Sequence, residues 1–120
     1  MQEDKQHYTR VLIVEDEPVL AFTLEDLLID AGFKVVGVAG KLDKALALIR
    51  SAVFDVAIVD ANLAGASASP AASALRARGI PFIVLSGYSI EQLPDEFLCA
   101  HCMKKPCRPA QLIQIGRAHV

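Results

Sequence analysis

The sequence lacks a surplus of charge of either sign: 12 Lys and Arg stand against 14 Asp and Glu, for a net charge of −2. That excludes the basic footprint with which a domain grips nucleic acid or an anionic membrane unaided. No apolar run approaches the roughly 18 residues a membrane-spanning helix needs. The opening MQEDKQHYTR carries acids and no apolar stretch, so it is no secretory signal. Cysteines are few. The three, Cys99, Cys102 and Cys107, are odd in number and confined to nine residues, a poor disulfide framework that suits a reducing compartment. No repeat recurs at solenoid periods. These absences predict a cytoplasmic protein with no nucleic acid or membrane among its partners.

What is present fits one folded unit. The chain has 120 residues, of which 53 % are hydrophobic and 22 % charged, enough apolar material for a single core and no room for a second. The charge is unevenly placed: residues 1–60 hold 11 acids and 6 bases, whereas residues 61–120 hold 3 acids and 6 bases. The acids of the first half therefore call for a local reason.

After a polar tail over residues 1–9, Val11–Val14 form an unalternating β-branched run that stops at Glu15-Asp16-Glu17, as in a strand buried on both faces. Pro18 suits a first helical turn, and Leu20, Leu24, Leu27, Leu28 and Ala31 recur at helical spacing until Gly32 ends the pattern. Further along, Lys34–Val38 predicts a strand, Leu42–Ala52 a helix with Ala45, Leu46, Ile49 and Val53 on one face, and Val56–Val59 a third strand ending at Asp60. Ala61–Ser69 reads as a small-residue, flexible loop. Pro70–Arg78 predicts a short helix closed by Gly79, with Arg76 and Arg78 on its solvated face, and Pro81–Leu85 a fourth strand. Glu91–Leu98 predicts a helix, Ala100–Lys104 a fifth strand, and Pro109 onward a last helix. This alternation implies a flavodoxin-like, doubly wound α/β fold: a five-stranded parallel sheet in the order 2-1-3-4-5 with helices on both faces. Ligands of such sheets sit outside the carboxyl ends of the strands, near the switch between the first and third.

Those ends carry Glu15, Asp16 and Asp60. Three carboxylates at one sheet edge repel each other unless a cation or protons neutralise them, and oxygen-only ligands in an open site favour Mg²⁺. The competing reading is that Asp16 or Glu17 merely caps the helix that Pro18 begins. Two further groups reach the same edge, the hydroxyl of Ser86 and the ammonium of Lys105. A metal site, a carboxylate, a hydroxyl and an ammonium together compose a phosphoryl-transfer site.

In order and spacing, VLIVEDEP (11–18), VAIVDANLAG with Asp60, IVLSGY with Ser86, and KKP with Lys105 resemble the receiver domain of two-component response regulators, over residues 10–118 with 119–120 as the chain end. The resemblance implies a phosphoacceptor Asp60 supplied by a sensor histidine kinase. It further implies Mg²⁺ held by Glu15, Asp16, Asp60 and the backbone carbonyl of Asn62, with Ser86 and Lys105 on the phosphoryl oxygens. Asp16 is then a direct ligand, and Glu15 acts directly or through water. The Lys105-Pro106 bond is expected to be cis. The stretch GIPFIVLSGY followed by LPDEF resembles the stand-alone receivers of alphaproteobacteria. Output is then protein–protein contact with a downstream or phosphotransfer protein, across a face running from the fourth strand to the last helix. The implied state is a monomer or weak homodimer, self-phosphorylating and self-dephosphorylating rather than a turnover enzyme.

The chain departs from the receiver pattern. Cys102 stands where an aromatic switch residue is usual, and Tyr88 is either its substitute or an ordinary loop tyrosine. Ala64 replaces the usual Pro after the third-strand Leu, which predicts a mobile loop beside the site. Asn62 follows Asp60 by two residues, and its amide is a candidate for orienting a hydrolytic water. Cys99, His101, Cys102 and Cys107 have the composition of a zinc site. If 100–104 is extended, however, His101 and Cys102 face opposite sides, and buried small hydrophobes are the simpler role. His7 and His119 lie in the terminal segments. Two rival functions remain: a Mg²⁺-dependent hydrolase with an Asp nucleophile, which needs a second Asp where Asn62 stands, and a pseudo-receiver acting only as a binding module. A receiver segment of a longer hybrid kinase is a third possibility, against which Met1 and the complete domain predict a free-standing protein.

Overall fold

Leu12 and Val14 belong to one buried cluster and Val11 and Ile13 to another, so a strand with both faces covered needs the unbroken apolar run found there. The computed structural model describes residues 8–63 and 65–86 and the backbone of 101–104. Its elements are β1 (Arg10–Val14), α1 (Pro18–Asp30), β2 (Lys34–Ala39), α2 (Leu42–Ser51), β3 (Val56–Asp60), β4 (Asn62–Leu63), β5 (Ala66–Ser67), α3 (Ser69–Ala77), β6 (Phe82–Ser86) and β7 (His101–Lys104). The long strands form one sheet in the order β2-β1-β3-β6-β7, every neighbouring pair parallel. This is the flavodoxin-like order expected. The winding reverses between β1 and β3, and the carboxyl ends of these two strands define the functional edge.

The two faces are filled by different helices. Leu24 and Leu28 of α1 pack with Val11, Ile13, Val56, Ile58, Ile83 and Leu85 on one side. Ala45 and Ile49 of α2, and Ala71, Ala72 and Leu75 of α3, pack with Leu12, Val14, Ala57, Val59 and Val84 on the other. The small alanines of α2 and α3 let those helices lie close to the sheet. At the end of α1, Gly32 adopts φ +95°, the left-handed conformation that lets its N–H reach Ile29 O and the Phe33 N–H reach Leu28 O. A side chain there would be strained.

Three expectations need correcting. Val53 does not join the buried face of α2: the helix stops at Ser51, and Val53 is 63 % exposed. Arg78 is more than a solvated residue. Its guanidinium donates to Ile49 O near the end of α2 and lies 5.8 Å above the Phe54 ring, tying α3 to its neighbour. The segment 61–69 is not a featureless loop, because Asn62 pairs with Ser67 and Leu63 with Ala66 in a small antiparallel hairpin. Leu63 is 2 % and Ala68 0 % exposed. These two side chains anchor the hairpin in the core, and Gly65, at φ +87°, makes its turn.

Several expectations fall outside the described residues: the tail over 1–7, Ala64, Tyr88, the helix at Glu91–Leu98, Cys99, Lys105 with Pro106, Cys107, the helix from Pro109 and His119. The strand at His101–Lys104 is present, and the faces taken by the His101 and Cys102 side chains lie outside what is described. Among the described residues no helix is long and apolar enough to cross a membrane.

Candidate functional site

The parallel register brings the acidic residues together. β1 and β3 pair side by side, Val14 opposite Val59, so the residues after each strand emerge at one edge. The Glu15 N–H continues the β1–β2 ladder by donating to Ala39 O at 2.9 Å. Carboxylate oxygens of Glu15, Asp16 and Asp60 all lie within 4.8 Å of one another. Glu15 and Asp60 are buried, at 2 % and 5 % exposure, while Asp16 is half-buried at the mouth.

Two carboxylates at that separation repel by about 3 kcal/mol at an effective dielectric near 20. Three such pairs at one edge are an arrangement that a hard cation relieves. All three donors are anionic oxygens with no soft ligand among them, the donor set that Mg²⁺ takes. The residues present therefore fit the ion.

Their local hydrogen bonds also answer the capping question for Glu17. Glu17 occupies the position before α1 and makes no side-chain cap bond. The Glu17 N–H is instead accepted by Glu15 Oε2 at 3.1 Å. One oxygen of Glu15 thus organises the turn into α1 while the carboxylate remains part of the acidic trio. Sequence position marks Glu15 as a metal-site candidate at a strand end, and nothing in the spacing marks the bond that its carboxylate makes to the residue before α1.

Asp60 Oδ1 accepts the Asn62 N–H at 3.2 Å, and Asn62 Oδ1 in turn accepts the Gly65 N–H at 3.0 Å. The amide oxygen of Asn62 is thus engaged in the hairpin turn. Ser86 ends β6 and is 3 % exposed. Because Asp60 is paired with Leu85, and Ala61 N donates to Leu85 O, Ser86 falls one step beyond Asp60 on the adjacent strand. The β6–β7 register sets Lys104 opposite Ser86, and Lys105 is the next residue in sequence. Glu15, Asp16, Asp60, Asn62 and Ser86 are therefore at one edge, and Lys105 itself lies outside the described residues.

The model of the response regulator receiver domain matches residues 11–117, nearly the whole chain. This chain belongs to the response regulator receiver family. Among curated relatives, the receiver is 31 % identical over 101 residues to the transcriptional regulatory protein PdtaR of Mycobacterium tuberculosis, covering 83 % of this chain. It spans about half the length of that relative, 49 %. Among solved structures, it resembles SdrG from Sphingomonas melonis Fr1 at 35 % identity and a TM-score of 0.78, over 93 % of this chain and 95 % of SdrG. TrrA from Thermotoga maritima, solved in complex with Mg²⁺-BeF, superposes with a TM-score of 0.82 at 23 % identity, over 93 % of this chain and 99 % of TrrA. At that identity the likeness to TrrA is one of fold. The receiver family is a signalling one, belonging to two-component systems.

Proposed function

We propose that this receiver accepts a phosphoryl group on Asp60 with Mg²⁺ bound beside it, and that the modified surface signals by protein–protein contact. One observation carries the reading: carboxylates from the ends of β1 and β3, far apart in sequence, meet within 4.8 Å. Glu15, Asp16, Asp60 and the backbone carbonyl of Asn62 would hold the ion. When bound, Mg²⁺ supplies positive charge against the carboxylates and the phosphoryl oxygens. The fold of TrrA, which hosts Mg²⁺-BeF, is the same fold.

The chain's own residues perform the transfer. An Asp60 oxygen bonds to phosphorus as the bond from phosphorus to the imidazole nitrogen of a donor phosphohistidine breaks, and that nitrogen retains the electron pair. The Ser86 hydroxyl donates to a phosphoryl oxygen, and the Lys105 ammonium neutralises another. The donor is a sensor histidine kinase, and the recipient of the signal is a downstream or phosphotransfer protein. We read the receiver unit as residues 10–118, with 1–9 a polar tail, working in the cytoplasm as a monomer or weak homodimer. Asn62 stands where an Asp-nucleophile hydrolase needs a second acid, which disfavours that rival and a turnover-enzyme role. The acidic trio together with Ser86 disfavours a pseudo-receiver.

Incubation with Mg²⁺ and phosphoramidate tests the reading. Wild type is expected to gain the mass of one phosphoryl group, and Asp60→Asn to gain none. Equal labelling of the two, or none in either, would overturn it.

A further inference from the structure

The β4–β5 hairpin beside the site is hydrogen-bonded at both ends. At its root, Asn62 N–H donates to Asp60 Oδ1 at 3.2 Å. Across its turn, Gly65 N–H donates to Asn62 Oδ1 at 3.0 Å. Its strands pair Asn62 with Ser67, and Ala68 N–H closes back onto Ala61 O at 3.0 Å. At its far end, Ser67 Oγ accepts the Ser69 N–H at 3.1 Å, the first residue of α3. A short series of hydrogen bonds thus runs from the Asp60 carboxylate to the start of a helix. The core contacts of Leu63 and Ala68 hold the hairpin as a unit, so a change at the root is passed on rather than absorbed by slack.

We propose that the 61–68 hairpin is a switch element that passes the state of Asp60 to α3, so that the exposed surface of the hairpin and α3 changes when Asp60 is phosphorylated. The inference rests on the reading of Asp60 as the phosphoacceptor. When an Asp60 oxygen forms its bond to phosphorus and the donor's leaving group departs with the electron pair, the carboxylate becomes an acyl phosphate. Whichever oxygen is esterified, Oδ1 ceases to be a carboxylate acceptor, and charge-assisted hydrogen bonds are roughly twice as strong as neutral ones. The Asn62 N–H then loses its partner's charge, and the hairpin adjusts about Asn62, Gly65 and Ser67. The exposed residues that move with it include Asn62, Ala66, Ser67 and Pro70.

The test compares amide ¹H–¹⁵N shifts of the whole chain with and without Mg²⁺ plus beryllofluoride, in wild type and in Ser67→Ala. Ser67 has no part in the phosphoryl chemistry, so phosphoramidate labelling, followed by intact mass, is expected to be the same in both. In wild type the Gly65, Ser67 and Ser69 amides shift on adding the mimic. In Ser67→Ala the Gly65 shift remains and the mimic-induced shift at Ser69 and along α3 is lost. A purely through-space effect of the bound charge would survive Ser67→Ala, and that result would overturn the proposal. So would labelled wild type whose amides at 65–69 do not move. Absence of labelling in wild type would instead sink the phosphoacceptor reading, and the switch with it.

Discussion

The ends of β1 and β3 and the hairpin that follows β3 are neighbours in space and opposites in character. The strand ends are acidic, buried and held by the central ladder of the sheet, whereas the hairpin is built of small, uncharged residues and stands mostly in solvent. The first region concentrates charge where the fold permits little adjustment, which suits a cation and a transferred group. The second is held as a unit by two buried anchors, Leu63 and Ala68, and by a few local hydrogen bonds, so it can shift as a whole for a small free-energy difference. Only Ala61 separates Asp60 at the acidic edge from Asn62 at the start of the hairpin, so the two regions differ in burial and charge rather than in position.

The contrast can be broken or sharpened by substitution. Asp60→Asn removes the nucleophile, and complete loss of labelling by phosphoramidate is expected in intact-mass spectra, with the fold retained. Ile13→Ala in the centre of β1, where Ile13 is fully buried, is expected to cost about 2 to 5 kcal/mol in denaturant unfolding. A loss well under 1 kcal/mol would mean that the strand ends are not rigidly held. Ser86→Ala is expected to slow labelling by about 10- to 100-fold, the worth of one hydrogen bond to a charged group, without changing stability comparably. The smallest effect belongs to the hairpin. Gly65→Ala meets no atom within 4 Å, so its cost is the left-handed backbone alone, about 1 to 2 kcal/mol. Faster amide hydrogen exchange confined to the hairpin would uphold the contrast, and loosening that spread to β1 and β3 would remove it.

The same contrast explains what could be read from the residues. Strands buried on both faces leave a plain mark, since Val11–Val14, Val56–Val59 and Phe82–Leu85 have no polar position to spare, and parallel pairing then brings Asp16, Asp60 and Ser86 to one edge. The hairpin left no such mark. Its strands are two residues each, too short for alternation, and the order comes from backbone pairing and the amide of Asn62, which composition does not register. Val53 shows the same limit, because helical spacing of apolar residues continues past Ser51, where the backbone leaves the helix. The role of Glu15 was legible only in part: its place at a strand end marked it as a site residue, but its bond to the Glu17 N–H needed coordinates.

The claim that Asp60 receives the phosphoryl group is tested most directly by trapping. Protein labelled by phosphoramidate in Mg²⁺ is reduced with borohydride, which converts a phosphoaspartate to homoserine, and the product is mapped by peptide sequencing. Homoserine is expected at position 60 alone, and none when Mg²⁺ is chelated beforehand. Homoserine at another aspartate, or labelling at position 60 that persists in chelator, would contradict it.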